Sequence, residues 1–275
     1  MNSLNHSVAL GPLSLSVAQL IVIVAMLVAL GVGALLGRRR GVRVSDPLFN
    51  AVILGVVGAR AGFVLQYHAS FDSLIGIIDI RDGGFSLVGG LVVGLGYIGW
   101  TLWRCSDKRA ALSGAVLAGL LAWGMPTGAI KLIDEHARPA PDVPLATLEG
   151  DATSLPQMIE TNGQPLVVNI WATWCPPCQR EMPVLEEAQK NHEDLTFAFV
   201  NHGEQPSVIQ SFLEDESLSL HNVLMDSSGS LSSATGAMGL PTTLYYNAEG
   251  QLVDTHFGEL SRASLQRGLD RLNSH

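Results

Sequence analysis

The sequence predicts an all-α membrane bundle of four transmembrane helices followed by an α/β domain. Three observations predict it. Four apolar stretches of about 20 residues precede residue 135, a proline-rich break spans 136–147, and beyond it strand-like and helix-like patterns alternate. A chain of 275 residues has room for two domains of ordinary size. Charge separates the halves too: residues 1–139 carry 11 Lys and Arg against 7 Asp and Glu, residues 140–275 carry 5 against 18, and the chain's net charge is −9. An acidic second half without a basic stripe excludes nucleic acid as a partner, because phosphate neutralisation needs clustered Lys and Arg.

The apolar stretches lie at about 13–36, 48–67, 85–103 and 110–133, each near the length that crosses a hydrocarbon core of ~30 Å. Nothing basic precedes the first, and Arg38, Arg39, Arg40 and Arg43 follow it, the pattern of an uncleaved anchor. Arg104, Lys108 and Arg109 lie between the third and fourth, whereas the second loop holds Asp72, Asp79 and Asp82 with only Arg81. Basic loops stay cytoplasmic. The expected arrangement is therefore a multi-pass protein of a bacterial inner membrane with everything after residue 135 in the periplasm. The spans carry GxxxG spacings at Gly58/Gly62 and Gly90/Gly94, which suit close helix packing. Arg60, in the middle of a span, is costly there and a functional candidate by default.

The segments Gly58-Ala59-Arg60-Ala61-Gly62-Phe63-Val64 and Gly83-Gly84-Phe85-Ser86-Leu87-Val88-Gly89-Gly90-Leu91 resemble prolipoprotein diacylglyceryl transferase, over about residues 45–130. That family moves a diacylglyceryl group from a phospholipid to a lipoprotein cysteine. It has a functional histidine where this chain has Val88. The resemblance therefore implies a degenerate relative, serving as an anchor or as a bundle that binds membrane lipid or a partner. Residues 1–135 form this expected membrane domain, 136–147 a proline-rich linker and 148–275 the second domain.

In the second half a strand is expected at 144–149 and a turn with a short helix at 153–161. Leu166-Val167-Val168-Asn169-Ile170-Trp171 reads as a buried central strand. A helix follows from Cys175 to about His192, with Pro183 inside it to kink it. Next come a strand at 195–201, an acidic helix at 206–216 and a strand near 222–226. A hairpin joins Thr242–Tyr246 to Gln251–Phe257 across Asn247-Ala248-Glu249-Gly250, and a helix at 261–272 aligns Leu265, Leu269 and Leu272. Strand–helix–strand followed by hairpin–helix is a thioredoxin-like arrangement.

Cys175-Pro176-Pro177-Cys178 carries the chemistry. A structural disulfide at this spacing closes a very short loop and stabilises little. A zinc site needs four ligands, and no second C-x-x-C or nearby His pair supplies them. A redox dithiol after a strand and opening a helix is what the context fits. Cys175 at the helix N-cap meets orphan N–H groups and the positive dipole end, which favour a thiolate. Pro176 sits at the first helical position at no cost, and Pro177 removes a second donor. Cys175 is thus the attacking thiol and Cys178 the resolving one. No cofactor beyond this redox-active disulfide is expected.

The segment from Val168 to Pro183, with Gly203-Glu204 and Gly239-Leu240-Pro241-Thr242-Thr243, resembles the TlpA/ResA-like periplasmic thioredoxins. These are membrane-tethered thiol–disulfide reductases, including those serving cytochrome c maturation. The resemblance implies that Pro241 is a cis-proline facing the dithiol. It also implies that Glu181 matches an acidic residue near the active site; tuning a cysteine and being a solvated acid both remain open for it. Trp174 is expected to cover the dithiol, and Trp171 to pack in the core. Where thioredoxin has a buried aspartate this chain has Asn169, so proton transfer needs another route. Cys105, alone in the membrane half, reads as a packing residue. One cysteine cannot make a membrane dithiol, so electrons come from a donor outside or in the membrane. The expected function is reduction of disulfides in protein substrates. Alternatives are oxidation or isomerisation by the same dithiol, a lipid-handling transferase with an accessory redox domain, and a redox-inactive binding module.

Overall fold

The structure, a computed structural model, describes residues 7–10, 13–71, 73–134, 138–237 and 239–274. Asp72, and His136 and Ala137 of the expected linker, lie outside the described residues. The chain divides into two compact units, one of Ser7–Ile80 and Gly84–Ile133, and a second that runs from Asp134 onward and also takes in Arg81–Gly83.

The first unit opens with an antiparallel pair, β1 (Ser7–Leu10) and β2 (Leu13–Ser16). Helix α1 (Val17–Arg40) therefore starts a turn later than its apolar run, and it continues through the three arginines. Helices α2 (Ser45–Gln66), α4 (Leu87–Arg104) and α5 (Arg109–Asp134) follow the other three stretches. All four are long and apolar enough to cross a membrane. They expose apolar side chains such as Leu27, Val57, Leu65 and Val92, as helices surrounded by lipid do. Ser86 caps α4 by accepting from the Gly89 N–H at 3.2 Å. Helices α2 and α4 meet along their glycines: a Cβ on Gly89 would stand 2.6 Å from the Gly58 carbonyl oxygen. Only hydrogen fits at that approach.

A short helix not expected from the sequence, α3 (Leu74–Ile78), lies in the loop between α2 and α4. Arg60 explains the loop's conformation. Its Nε donates to Ile77 O at 2.9 Å, Nη1 to Gly84 O at 2.8 Å, and Nη2 to Gly76 O at 3.0 Å and Asp79 O at 2.6 Å. The guanidinium also lies 5.6 Å from the ring centroids of Phe63 and Phe71. The charge is thus compensated by the carbonyls at the end of α3. Arg60 has a structural task, holding a loop against the helix.

The second unit is built on a seven-stranded sheet. Its strands are β3 (Leu145–Thr147), β4 (Ala152–Thr153), β5 (Leu166–Trp171), β6 (Thr196–His202), β7 (Val223–Asp226), β8 (Thr242–Tyr246) and β9 (Leu252–Phe257), in the order β4-β3-β7-β6-β5-β8-β9. β5, β6 and β7 are parallel; β8 and β9 continue antiparallel beside β5. Every residue of β5 is buried, as a strand covered on both faces requires. Alternation then sorts its side chains. Val167 and Trp171 join a core with Phe197, Phe199 and Tyr245. Val168 and Ile170 join another with Ala198, Val200 and Leu244. Helices α7 (Pro176–Asn191) and α10 (Arg262–Leu272) fill the first core through Met182, Leu185, Leu265 and Leu269. Helices α6 (Leu155–Asn162) and α9 (Ser230–Thr235) fill the second through Leu155, Ile159 and Leu231. Helix α8 (Pro206–Asp215) adds Ile209 to the first.

One reading of the sequence changes here. The stretch expected as a linker takes part in the sheet from Arg138 onward: Leu252 N–H donates to Arg138 O and Ala140 N–H to Gly250 O, at 2.9 and 2.8 Å, and Leu145–Thr147 is β3. Prolines lack a donor, but their neighbours keep theirs, and an edge needs few. α7 runs from Pro176 to Asn191 with Pro183 inside it, the span expected from the sequence.

Candidate active site

Strand β5 delivers the chain to the site. After Trp171 a turn closed by Cys175 N–H to Ala172 O, at 3.3 Å, brings Cys175 to the N-cap of α7. Pro176 and Pro177 fill the first two helical positions, where free N–H groups would otherwise point outward. Cys178 sits third and is bonded to Cys175 in a disulfide with Cα atoms 5.3 Å apart. Cys178 is fully buried and Cys175 only 4% exposed. Both cysteines therefore lie below the surface, Cys175 the less deeply of the two. Trp174 stands 64% exposed, its ring mostly in solvent rather than enclosed with the dithiol. Trp171 is buried, packing on Phe212 at 5.4 Å between centroids.

The loop carrying Thr173 and Trp174 is tied down from the neighbouring strand. Thr173 N–H donates to one Glu204 carboxylate oxygen at 2.7 Å and the Thr173 hydroxyl to the other at 2.5 Å. Asn201, at the end of β6, donates its amide to Glu204 at 2.7 Å and accepts from the Glu204 N–H at 3.2 Å. Glu204 enters the sequence reading only as part of a motif match. Its task comes from β5 and β6 lying side by side, a pairing that sequence spacing does not display.

Pro241 is reached from the other side of β5. Thr242 pairs with Ile170 in the β5–β8 ladder, so Pro241 lies at the sheet end from which the Cys175 loop departs. The Leu240–Pro241 peptide is cis, and Leu240 packs against the core cluster containing both cysteines. Gly258 N–H donates to Pro241 O at 3.0 Å.

Glu181 is no solvated acid. Three residues beyond Cys178, it lies on the same buried face of α7 and is fully enclosed. Strand parity turns Asn169 to this face, and its amide donates to Glu181 Oε1 at 2.7 Å and to the Thr243 hydroxyl at 3.0 Å. Leu260 N–H donates to Oε2 at 2.7 Å. Burial pushes the carboxyl up to about 8; the two donors oppose the shift, and the nearby Glu259 charge adds to it. An acid that titrates near neutrality, one turn behind a dithiol, can take and return a proton there.

The redoxin family model matches residues 135–269, and the prolipoprotein diacylglyceryl transferase model matches residues 6–130. The chain is 27% identical over 184 residues to the thioredoxin-like protein YneN of Bacillus subtilis, covering 66% of this chain and 93% of that protein. It is 29% identical over 128 residues to the thiol-disulfide oxidoreductase ResA of Halalkalibacterium halodurans, covering 46% and 70%. It is 31% identical over 125 residues to a thiol:disulfide interchange protein, a DsbE homolog of Paracoccus denitrificans, covering 46% and 68%. The chain therefore belongs to the redoxin family as a ResA-like thiol–disulfide oxidoreductase, with a prolipoprotein diacylglyceryl transferase-like membrane domain ahead of its thioredoxin-like domain.

Proposed function

We propose that this oxidoreductase works as a disulfide reductase on protein substrates, anchored by its four helices with the dithiol on the periplasmic side of a bacterial inner membrane. The observation that carries the direction is what surrounds the cysteines. A dithiol is oxidising when its thiolate is stabilised. Here prolines occupy the two helical positions after Cys175, removing donors, and Glu181 lies buried behind Cys178. Once ionised, Glu181 disfavours a neighbouring thiolate.

In the forward reaction the Cys175 thiolate attacks one sulfur of a substrate disulfide. That S–S bond breaks, a mixed disulfide forms, and the departing substrate thiolate takes a proton. Cys178 then gives its proton to Glu181 and attacks Sγ of Cys175. The second substrate thiolate leaves and is protonated in turn. The substrate gains two electrons and two protons, and the enzyme ends with the Cys175–Cys178 disulfide. Pro241, at the sheet end from which the Cys175 loop departs, offers adjoining backbone for a substrate segment to pair with, and Trp174, the residue before Cys175, offers an exposed aromatic surface. Electrons return to the disulfide from a donor outside or within the membrane, and membrane lipid surrounds the helical half.

Insulin reduction by the full chain in detergent micelles, started from the reduced protein, tests this. Cys175→Ser is expected to abolish turnover. Cys178→Ala is expected to accumulate a substrate mixed disulfide at Cys175, visible by non-reducing mass analysis. Turnover that survives in Cys175→Ser contradicts the proposal.

A further inference from the structure

The turn of residues 258–261, between β9 and α10, bonds to Pro241 and to Glu181 without carrying any of the site's chemistry. Gly258 N–H reaches the Pro241 carbonyl and Leu260 N–H reaches Glu181. Ser261 caps α10 in a reciprocal pair with Ser264, and His256 Nε2 lies 3.2 Å from the Glu259 carbonyl. The outer side of the turn is gripped by α7. Arg180, the residue before Glu181, directs Nε and Nη2 at a single Glu259 carboxylate oxygen, at 3.0 and 2.6 Å. Arg180 is 44% exposed in its side chain and Glu259 18%, so the pair contributes little as a surface salt bridge in itself. Its placement is what matters: Arg180 and Glu181 point in different directions from α7, and the same two-residue piece of turn answers both.

We propose that Arg180 and Glu259 are positioning residues, a clasp that keeps the Leu260 N–H on the buried carboxyl of Glu181. This deepens the reading of Glu181 as the proton acceptor for Cys178 and rests on it. Leu260 N–H favours the ionised carboxylate, whereas the Glu259 charge disfavours it. With Arg180 in place the turn is held and the Glu259 charge is matched. Among the described residues, the other groups that bear on Glu181 are neutral: Asn169 from β5, and Tyr245 from β8, whose phenol burial pushes up. His256, at the base of the turn, is pushed down to about 4 by burial and stays uncharged near neutrality.

The test is a 13C titration of Glu181 in the oxidised full chain in micelles, with 13Cδ-labelled glutamate and Glu181→Gln for assignment. Oxidised protein turns nothing over, so the result stands apart from the direction of electron flow. Arg180→Gln loosens the turn and leaves Glu259 unmatched, and both effects move the Glu181 midpoint upward, by about 0.5 or more. Arg180→Lys keeps the charge and the midpoint. The charge-swapped Arg180→Glu, Glu259→Arg protein returns the midpoint toward that of the unaltered chain. A midpoint that stays in place or falls in Arg180→Gln overturns the proposal. So does a charge-swapped protein that titrates like Arg180→Gln.

Discussion

Glu181 and His256 in the second unit ionise far from their ordinary ranges, and their effects on stability have opposite signs. Glu181 is pushed up from 4.5 to about 8 by burial. Between those values the folded chain holds a proton that the unfolded chain has lost. Its stability is fully present below pH 4.5 and is lost as pH rises through 8. His256 is pushed down from 6.5 to about 4 by burial. Its contribution is present above pH 6.5 and is lost as pH falls through 4. Of these two, only Glu181 is still changing stability between pH 6.5 and 8. The thermal midpoint of the oxidised chain is expected to fall across that window, and Glu181→Gln is expected to flatten it. An unchanged slope in Glu181→Gln would remove the carboxyl from this account. At this scale the cysteines were legible in the sequence, because strand, C-x-x-C and helix are contiguous. Glu181 was legible as a position but not as a buried acid, since its partners Asn169 and Leu260 lie 12 and 79 residues away. Arg180 and Glu259, also 79 residues apart, could be paired only once the turn met α7.

Elements that bury a full face were readable in advance, and those that depend on a neighbour were not. β5, β6 and α10 lie within a residue or two of where alternation and leucine spacing put them, because burial on a strand or helix imposes its period on the sequence. β4 has two residues and α9 six, too short to show a period. α9 is held instead by Asp226, whose carboxylate accepts from the Ser230 and Leu231 N–H groups, both at 2.9 Å. In the membrane half the glycine spacings were visible, but which helices they join was not. A Cβ on Gly89 meets the Gly58 carbonyl, whereas one on Gly96 meets nothing within 4 Å. Gly89→Ala is therefore expected to cost about 1–3 kcal/mol by overpacking, read as earlier SDS-induced unfolding in mixed micelles. Gly96→Ala, on the same helix, is the control and is expected to unfold like the unaltered chain. Equal behaviour of the two would mean that the α2–α4 seam is not tight.

At the scale of the whole molecule, a helical membrane domain and an acidic thioredoxin-like domain share one chain, and the two solvents they face were already separated by charge and hydropathy. Among the described residues the one free cysteine is Cys105, just past the end of α4, and the proposed direction requires that electrons reach Cys175–Cys178 from another molecule. That requirement, the two prolines and the buried acid belong to one proposal, that the dithiol is a donor of electrons. Its reduction potential tests this most directly, measured for the full chain in micelles against glutathione or dithiothreitol buffers. The account predicts a value near that of thioredoxin, about −270 mV, and a value near the strongly oxidising DsbA, about −120 mV, would contradict it.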